Sequence, residues 1–287
     1  MKYSKIIAGT MTWGAWGKKL STEAMADLMH FCVAQGVSTF DHADIYGGYT
    51  TEAEFGQAFA QSGLNREAVQ LISKCGIQHL SGGRNTKIGH YRYDKDYIIW
   101  SVETSLKNLQ TEYLDVLLLH RPSPLMHPEE ISEAILRLKQ QGKIRSFGVS
   151  NFTPSQVDLI SKHVAVDVNQ IEFSLTQHLA MFDGSLDHML LKEISPMAWS
   201  PLGTVFKEKT EQTSRIKLLL GELSNKYNAT EDALLLAWIL KHPAKIYPVV
   251  GTTTKSRLED AVNAATIDLE LEDWFLMLVA SQGHAMP

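Results

Sequence analysis

Cysteine is nearly missing from this sequence: 287 residues contain two, Cys32 and Cys75, too few for a disulfide framework or a cysteine-based metal site. Cys32 falls on an apolar helical stripe and reads as a packed thiol, which suits a reducing compartment. No apolar run approaches the roughly 20 residues that cross a bilayer. Met1-Lys2-Tyr3-Ser4-Lys5 leads into a short apolar strand without a signal-like segment, so no membrane partner and a cytoplasmic location are expected. Long blocks of one charge are also missing. The 27 Lys and Arg residues are interspersed among 32 Asp and Glu, which excludes the basic footprint of a nucleic-acid binder and leaves a small molecule as the expected partner. No linker, solenoid repeat or low-complexity tract interrupts the chain. One domain over residues 1–287, acting as a monomer, is the expectation.

What the chain has instead is alternation between two periods. After Ser21 the apolar residues Met25, Leu28, Met29, Cys32 and Val33 recur at helical spacing, and Gly36 supplies the expected stop. Short apolar runs then trade places with helical patterns. Eight strands are predicted, over residues 5–8, 37–40, 69–73, 115–119, 145–149, 166–171, 196–199 and 246–250. Helices are predicted over 51–61, 97–109, 128–142 and 186–193, with another opened by Thr153-Pro154 as N-cap and first-turn proline and two more before Ile246. Val116-Leu117-Leu118-Leu119 is apolar on both faces, as buried parallel strands require. This pattern predicts the α/β class and a (β/α)8 TIM barrel. The rival, an open doubly wound sheet, lacks its marker, because Gly9, Gly14 and Gly17 do not form G-x-G-x-x-G. The longest irregular stretch, residues 77–94 with Gly82-Gly83 inside it, has the length of a functional or mobile loop.

A barrel presents its chemistry where strands end, on the loops of its C-terminal face. Asp41 follows the second predicted strand, Lys74 closes the third and His120 the fourth, while Tyr46 lies in the loop after Asp41. Successive strands bring all four together. Singly, each has an ordinary explanation: a turn aspartate, a solvated lysine, a structural histidine. Jointly they can do chemistry, because an ammonium beside a phenol stabilises the phenolate and lowers a pKa that starts near roughly 10, and a carboxylate neutralises and orients the ammonium. A neighbouring histidine can hydrogen-bond a carbonyl oxygen. The group reads as an acid that protonates an oxyanion while hydride arrives at carbon. Zinc held by His42, Asp44 and His120 is a poorer fit, since catalytic zinc takes three protein ligands and no third histidine has an evident place.

The run Asp41-His42-Ala43-Asp44-Ile45-Tyr46-Gly47, then Lys74, Leu118-Leu119-His120, Gly148-Val149-Ser150-Asn151-Phe152 and Trp199-Ser200-Pro201-Leu202-Gly203 resembles the aldo-keto reductase superfamily. The resemblance, to a bacterial general oxidoreductase-like branch, covers nearly the whole chain. It implies Tyr46 as general acid, Lys74 and Asp41 as its tuning pair, and His120 as the group that positions the carbonyl. It further implies that Ser150, Asn151 and Gln170 hold the nicotinamide carboxamide and that Trp199 stacks on the ring, with Asp41, Ser200, Pro201, Leu202 and Gly203 beside the cofactor. Met11 and Thr12 would line the cofactor, and Trp13 the substrate pocket. The adenosine end falls to Gly251-Thr252-Thr253-Thr254-Lys255-Ser256-Arg257 and on to Asp260. There hydroxyls, backbone donors at a coming helix N-terminus and two cations suit a 2′-phosphate, so NADP(H) is the expected cofactor and carbonyl–alcohol interconversion the expected reaction.

Two departures bear on this reading. Ala261 stands where many members carry Asn, removing a possible adenine contact, and Gly48-Tyr49-Thr50-Thr51 lengthens the loop after Tyr46. The short segments between Gly203 and Arg215 and beyond Trp274 imply an open cleft and a broad substrate range. A non-catalytic NADPH-binding sensor or auxiliary subunit is the competing function on the same fold, since fold alone cannot separate the two.

Overall fold

Strands that are apolar on both faces must be covered on both, and here they close on themselves. The computed structural model describes residues 3–80 and 86–286. Its barrel strands are β1 (Ile7–Gly9), β2 (Thr39–Asp41), β3 (Gln70–Cys75), β4 (Leu114–Leu119), β5 (Ile144–Ser150), β6 (Val168–Glu172), β7 (Ser195–Trp199) and β8 (Tyr247–Val250). All run parallel in sequence order, and β8 returns to β1 through Ile7 opposite Val249 and Ala8 opposite Val250, so no edge is left unpaired. Ile7, Ile72, Val116, Leu118, Val168 and Met197 fill the interior. Alternate residues such as Leu71, Leu117 and Phe147 face outward into a second, larger core beneath the helices. The period of two thus sends every other side chain to a different hydrophobic cluster.

The covering helices are α1 (Thr22–Ala34), α2 (Thr51–Ser62), α3 (Lys95–Leu109), α4 (Pro128–Gln140), α5 (Pro154–Ser161), α6 (Ser185–Leu191), α7 (Glu211–Tyr227), α8 (Glu231–Leu240), α9 (Lys255–Asn263) and α10 (Leu271–Gln282). Their starts follow the local chemistry. Ser21 accepts the Ala24 N–H ahead of α1, and Thr153 with Gln156 forms a reciprocal capping box ahead of Pro154. The indoles of Trp238 and Trp274 stack 5.0 Å apart and each donates its ring N–H to the other's carbonyl, joining α8 to α10. Among the described residues no helix is long and apolar enough to cross a membrane.

Three placements differ from the sequence reading. Asp41 is the last residue of β2 rather than the one after it, and Lys74 lies inside β3 with Cys75 following. The stretch 77–94 is not wholly irregular, because Ile77–Gln78 pairs antiparallel with His90–Tyr91. Gly82 and Gly83 lie outside the described residues.

Two glycines make a test of packing against propensity. Gly56 sits in α2 where an added Cβ would run into the Asn108 carbonyl and the Leu109 backbone of α3, whereas Gly221 in α7 meets nothing. Gly221→Ala should stabilise by about 0.5–1 kcal/mol, the ordinary helical gain. Gly56→Ala should reverse that sign and cost about 1–3 kcal/mol from overpacking. Urea midpoints of both variants decide the matter, and a stabilising Gly56→Ala would refute the close α2–α3 contact.

Candidate active site

Lys74 is 1% exposed, so its ammonium can persist only if protein groups replace its hydration. They do so completely: Nζ donates to Asp41 Oδ2 at 2.7 Å, to the His42 carbonyl at 2.8 Å and to Tyr46 Oη at 3.1 Å. Asp41 is held from its other side, where Oδ1 accepts from Gln170 Nε2 at 2.9 Å. The loop after β2 is stitched to β3 by the His42 N–H on the Ile72 carbonyl and the Asp44 N–H on the Lys74 carbonyl. That stitching delivers Tyr46 to the ammonium. Gly47 and Gly48 follow it in left-handed conformation, and a Cβ on Gly47 would come within 2.5 Å of Thr51 Oγ1 and 2.7 Å of Thr50 Oγ1. Tyr49 continues the turn at φ 76°, and its hydroxyl accepts the His79 N–H at 2.8 Å. The added residues after Tyr46 therefore tie this loop to the Ile77–Gln78 hairpin.

Burial draws the Lys74 pKa down, but Asp41 and Tyr46 together lift it above its usual value, so the cation stays charged. For Tyr46, burial raises the pKa; the Lys74 charge opposes and Asp41 cancels part of that opposition. The net direction is upward, which corrects the expectation of a lowered phenol pKa: at neutral pH Tyr46 keeps its proton. His120, whose ring is 6.2 Å from that of Tyr46 and nearly perpendicular to it, is pushed well below the usual histidine range by burial and then by Lys74 and Arg121. It is a neutral imidazole whose buried Nδ1 has no hydrogen-bond partner among the described residues. His42 is different. Its Nδ1 pairs with Thr10 Oγ1 at 2.8 Å and its ring packs on Phe55 at 4.2 Å. Among the described residues no three His, Cys, Asp or Glu side chains are arranged to hold a metal.

Beside this tetrad runs a second network. Ser150 Oγ donates to the Gln170 carbonyl at 2.9 Å, Asn151 Nδ2 to Ser150 Oγ at 2.8 Å, and Trp199 Nε1 to Asn151 Oδ1 at 2.9 Å. It leaves Trp199 half-buried, with Ser200 beside it, Pro201 buried, and Gly203 closing a turn onto the Ser200 carbonyl. Leu202 packs at the edge of the core. Met11 stands exposed, and Thr12 Oγ1 donates to the Gly251 carbonyl at 2.8 Å, bridging the loops after β1 and β8. That second loop runs through half-buried Thr252 and Thr253 to Thr254, which gives α9 no side-chain cap. The first N–H groups of α9 are thus left for another acceptor, with Lys255 and Arg257 exposed alongside. Asp260 is half-buried one turn on, its carboxyl pushed upward by burial and then by Asp232 and Glu259. Ala261 is buried in the core.

One assignment is overturned. Trp13 is 1% exposed and wedged between Phe40 and Phe55, so it cannot line a substrate pocket. Trp16, three residues on and 43% exposed, is the tryptophan that faces Tyr46, 6.3 Å away, and His79, 5.7 Å away. Two tryptophans in one loop gave no sequence signal as to which turns inward. Arg121, adjacent to His120 and 5.4 Å over the Trp199 ring, was also missed.

Residues 5–277 match the family model described as the Aldo/keto reductase family. The chain is 41% identical over its full length to the uncharacterized oxidoreductase YcsN of Bacillus subtilis (strain 168), covering 97% of that protein. It is 36% identical to a 6-dehydroglucose reductase of Agrobacterium fabrum (strain C58), over 88% of this chain and 86% of that one. A crystal structure of a thermostable aldo-keto reductase with the inhibitor epalrestat superimposes with a TM-score of 0.82 at 26% identity, over 96% of this chain and 94% of that one.

The buried imidazoles predict an acid limb of stability. With its pKa held at about 3 by burial and Lys74, folded His42 refuses a proton that the unfolded chain binds near 6.5. Stability is therefore complete above the unfolded value and falls as pH drops from there toward the folded one, on the order of 1 kcal/mol per pH unit. His42→Gln should flatten this slope in urea denaturation series between about pH 6 and pH 4. An unchanged slope would show that His42 is not held neutral.

Proposed function

This chain belongs to the aldo/keto reductase family of NAD(P)H-dependent oxidoreductases that reduce carbonyls, and on that premise we propose that it reduces an aldehyde or ketone with NADPH, using Tyr46 as the general acid. The observation that carries the proposal is the contact of buried Lys74 Nζ with half-buried Tyr46 Oη at 3.1 Å and with buried Asp41 at 2.7 Å. It joins a proton donor to the charge that stabilises its conjugate base.

The residues present fit a dinucleotide. Ser150, Asn151 and Gln170 are amide and hydroxyl groups suited to a carboxamide, Trp199 offers a flat half-buried face, and the uncapped start of α9 with Lys255 and Arg257 offers an anion site. When bound, NADPH supplies the hydride that reaches the carbonyl carbon. Tyr46 donates its proton to the carbonyl oxygen as negative charge grows there, and the phenolate left behind is met by the Lys74 ammonium. Asp41 and the His42 carbonyl hold that ammonium still, and Gln170 holds Asp41. Neutral His120 can donate a hydrogen bond to the same oxygen without adding a second cation beside Lys74. A non-catalytic sensor would have no use for this arrangement.

Tyr46→Phe should lower carbonyl reduction by about 10²- to 10⁴-fold, the usual worth of a positioned acid, while NADPH still binds with near-normal affinity in a fluorescence titration. Loss of binding together with turnover would count against the acid role. Cofactor choice should reside in Arg257, because a 2′-phosphate takes paired guanidinium donors that a ribose hydroxyl does not. Arg257→Ala should weaken NADPH by about ten- to a hundredfold and leave NADH nearly unchanged. Equal loss for both cofactors would assign Arg257 to loop support.

A further inference from the structure

Arg121 follows His120 directly in the loop after β4, and its backbone is gripped from both sides by one hydroxyl. Tyr93 Oη donates to the Arg121 carbonyl at 2.6 Å and accepts the Arg121 N–H at 3.1 Å. Tyr93 is itself buried, with its ring against Gly76, where a Cβ would collide with it and where φ is 115°. The exit of β3, the segment before α3 and the loop after β4 therefore converge to set where this one side chain starts.

The guanidinium lies over the Trp199 ring at 5.4 Å, half-buried at the edge of the cleft. Its charge reaches the active site, where it adds to that of Lys74 at His120. Among the described residues no carboxylate pairs with it, in contrast to Arg66 and Arg145 on Asp115 and Arg92 on Asp94. Lys74, the other cation of the cleft, has its donors committed to Asp41, His42 and Tyr46. A weakly hydrated guanidinium on an indole face, with its fork unspent, is the chemistry that takes a planar carboxylate in a paired hydrogen bond.

We infer that Arg121 recognises an anionic group on the substrate, so that this enzyme prefers small carbonyl compounds carrying a carboxylate near the reacting carbon over neutral ones. The inference rests on the reductase reading above. Tyr46 and His120 receive the carbonyl oxygen, and the residue next to His120 receives the carboxylate, so both ends of one short molecule are held. The carboxylate is a spectator: the carbonyl carbon gains the hydride, its oxygen gains the Tyr46 proton, and no other bond changes.

The test compares succinic semialdehyde with butanal in wild type, Arg121→Leu and Arg121→Lys. Wild type should favour the semialdehyde in kcat/KM by about ten- to a hundredfold, chiefly through KM, with the ratio falling close to one in Arg121→Leu and partly restored in Arg121→Lys. Added salt should narrow the wild-type preference. In parallel, 4-hydroxybutyrate and 1-butanol are titrated calorimetrically into each protein, and only the carboxylate should bind in an Arg121-dependent way. No preference in wild type, or an equal preference in Arg121→Leu, overturns the inference. If neither aldehyde is reduced while 4-hydroxybutyrate binding still depends on Arg121, the anion site stands and the reductase reading falls.

Discussion

The ammonium of Lys74 is the constraint around which this molecule is organised. A buried cation is among the costliest things a fold can contain, and it is tolerated only when every donor has an acceptor and a countercharge is near. Here the countercharge comes from β2, a backbone acceptor from the loop after it, and a phenol from the turn beyond that. Gln170, from β6 on the far side of the barrel, fixes the countercharge in turn. Closing the barrel is what lets residues from β2, β3 and β6 meet at one point, so the architecture and the cation each depend on the other.

Protonation follows from the same burial. Low polarity around the site favours the uncharged forms of Tyr46 and His120, and only Lys74, with its dedicated partner, resists. At neutral pH the cleft therefore holds a protonated phenol, a neutral imidazole and a fixed cation. In the proposed reaction the cation does not pull the proton from the resting phenol but receives the phenolate once the proton has left.

The opposite end of the barrel carries charge for another purpose. Asp115, near the start of β4, accepts from Arg66 at 2.7 Å and from the Leu71 N–H at 2.9 Å, while the Arg66 and Arg145 guanidinium groups both lie over the Tyr113 ring, 3.9 and 3.7 Å from its centroid. These arginines are spent on holding strands together. Arg121, at the chemical end, is placed with equal care by Tyr93, lies over the Trp199 ring and, among the described residues, pairs with no carboxylate. The same residue type thus divides by barrel end into structure and recognition.

The order of elements, the closed parallel barrel and the gathering of Asp41, Tyr46, Lys74 and His120 toward one end of it were legible in one dimension to within a residue or so of each strand end, because periodicity decides which side of a strand or helix is apolar and barrel topology decides which end carries chemistry. What needed the third dimension was every property summed over neighbours distant in sequence. Gln170 reaches Asp41 across 129 positions, a pairing no local pattern encodes. Trp13 and Trp16 share one loop and one composition, yet the first is core and the second is cleft, because the turn between them is set by the packing of Phe40 and Phe55. The direction of the Tyr46 pKa likewise reversed, since the Lys74 charge was visible in the sequence but the burial that outweighs it, and the Asp41 charge that blunts it, exist only once the chain has closed around them.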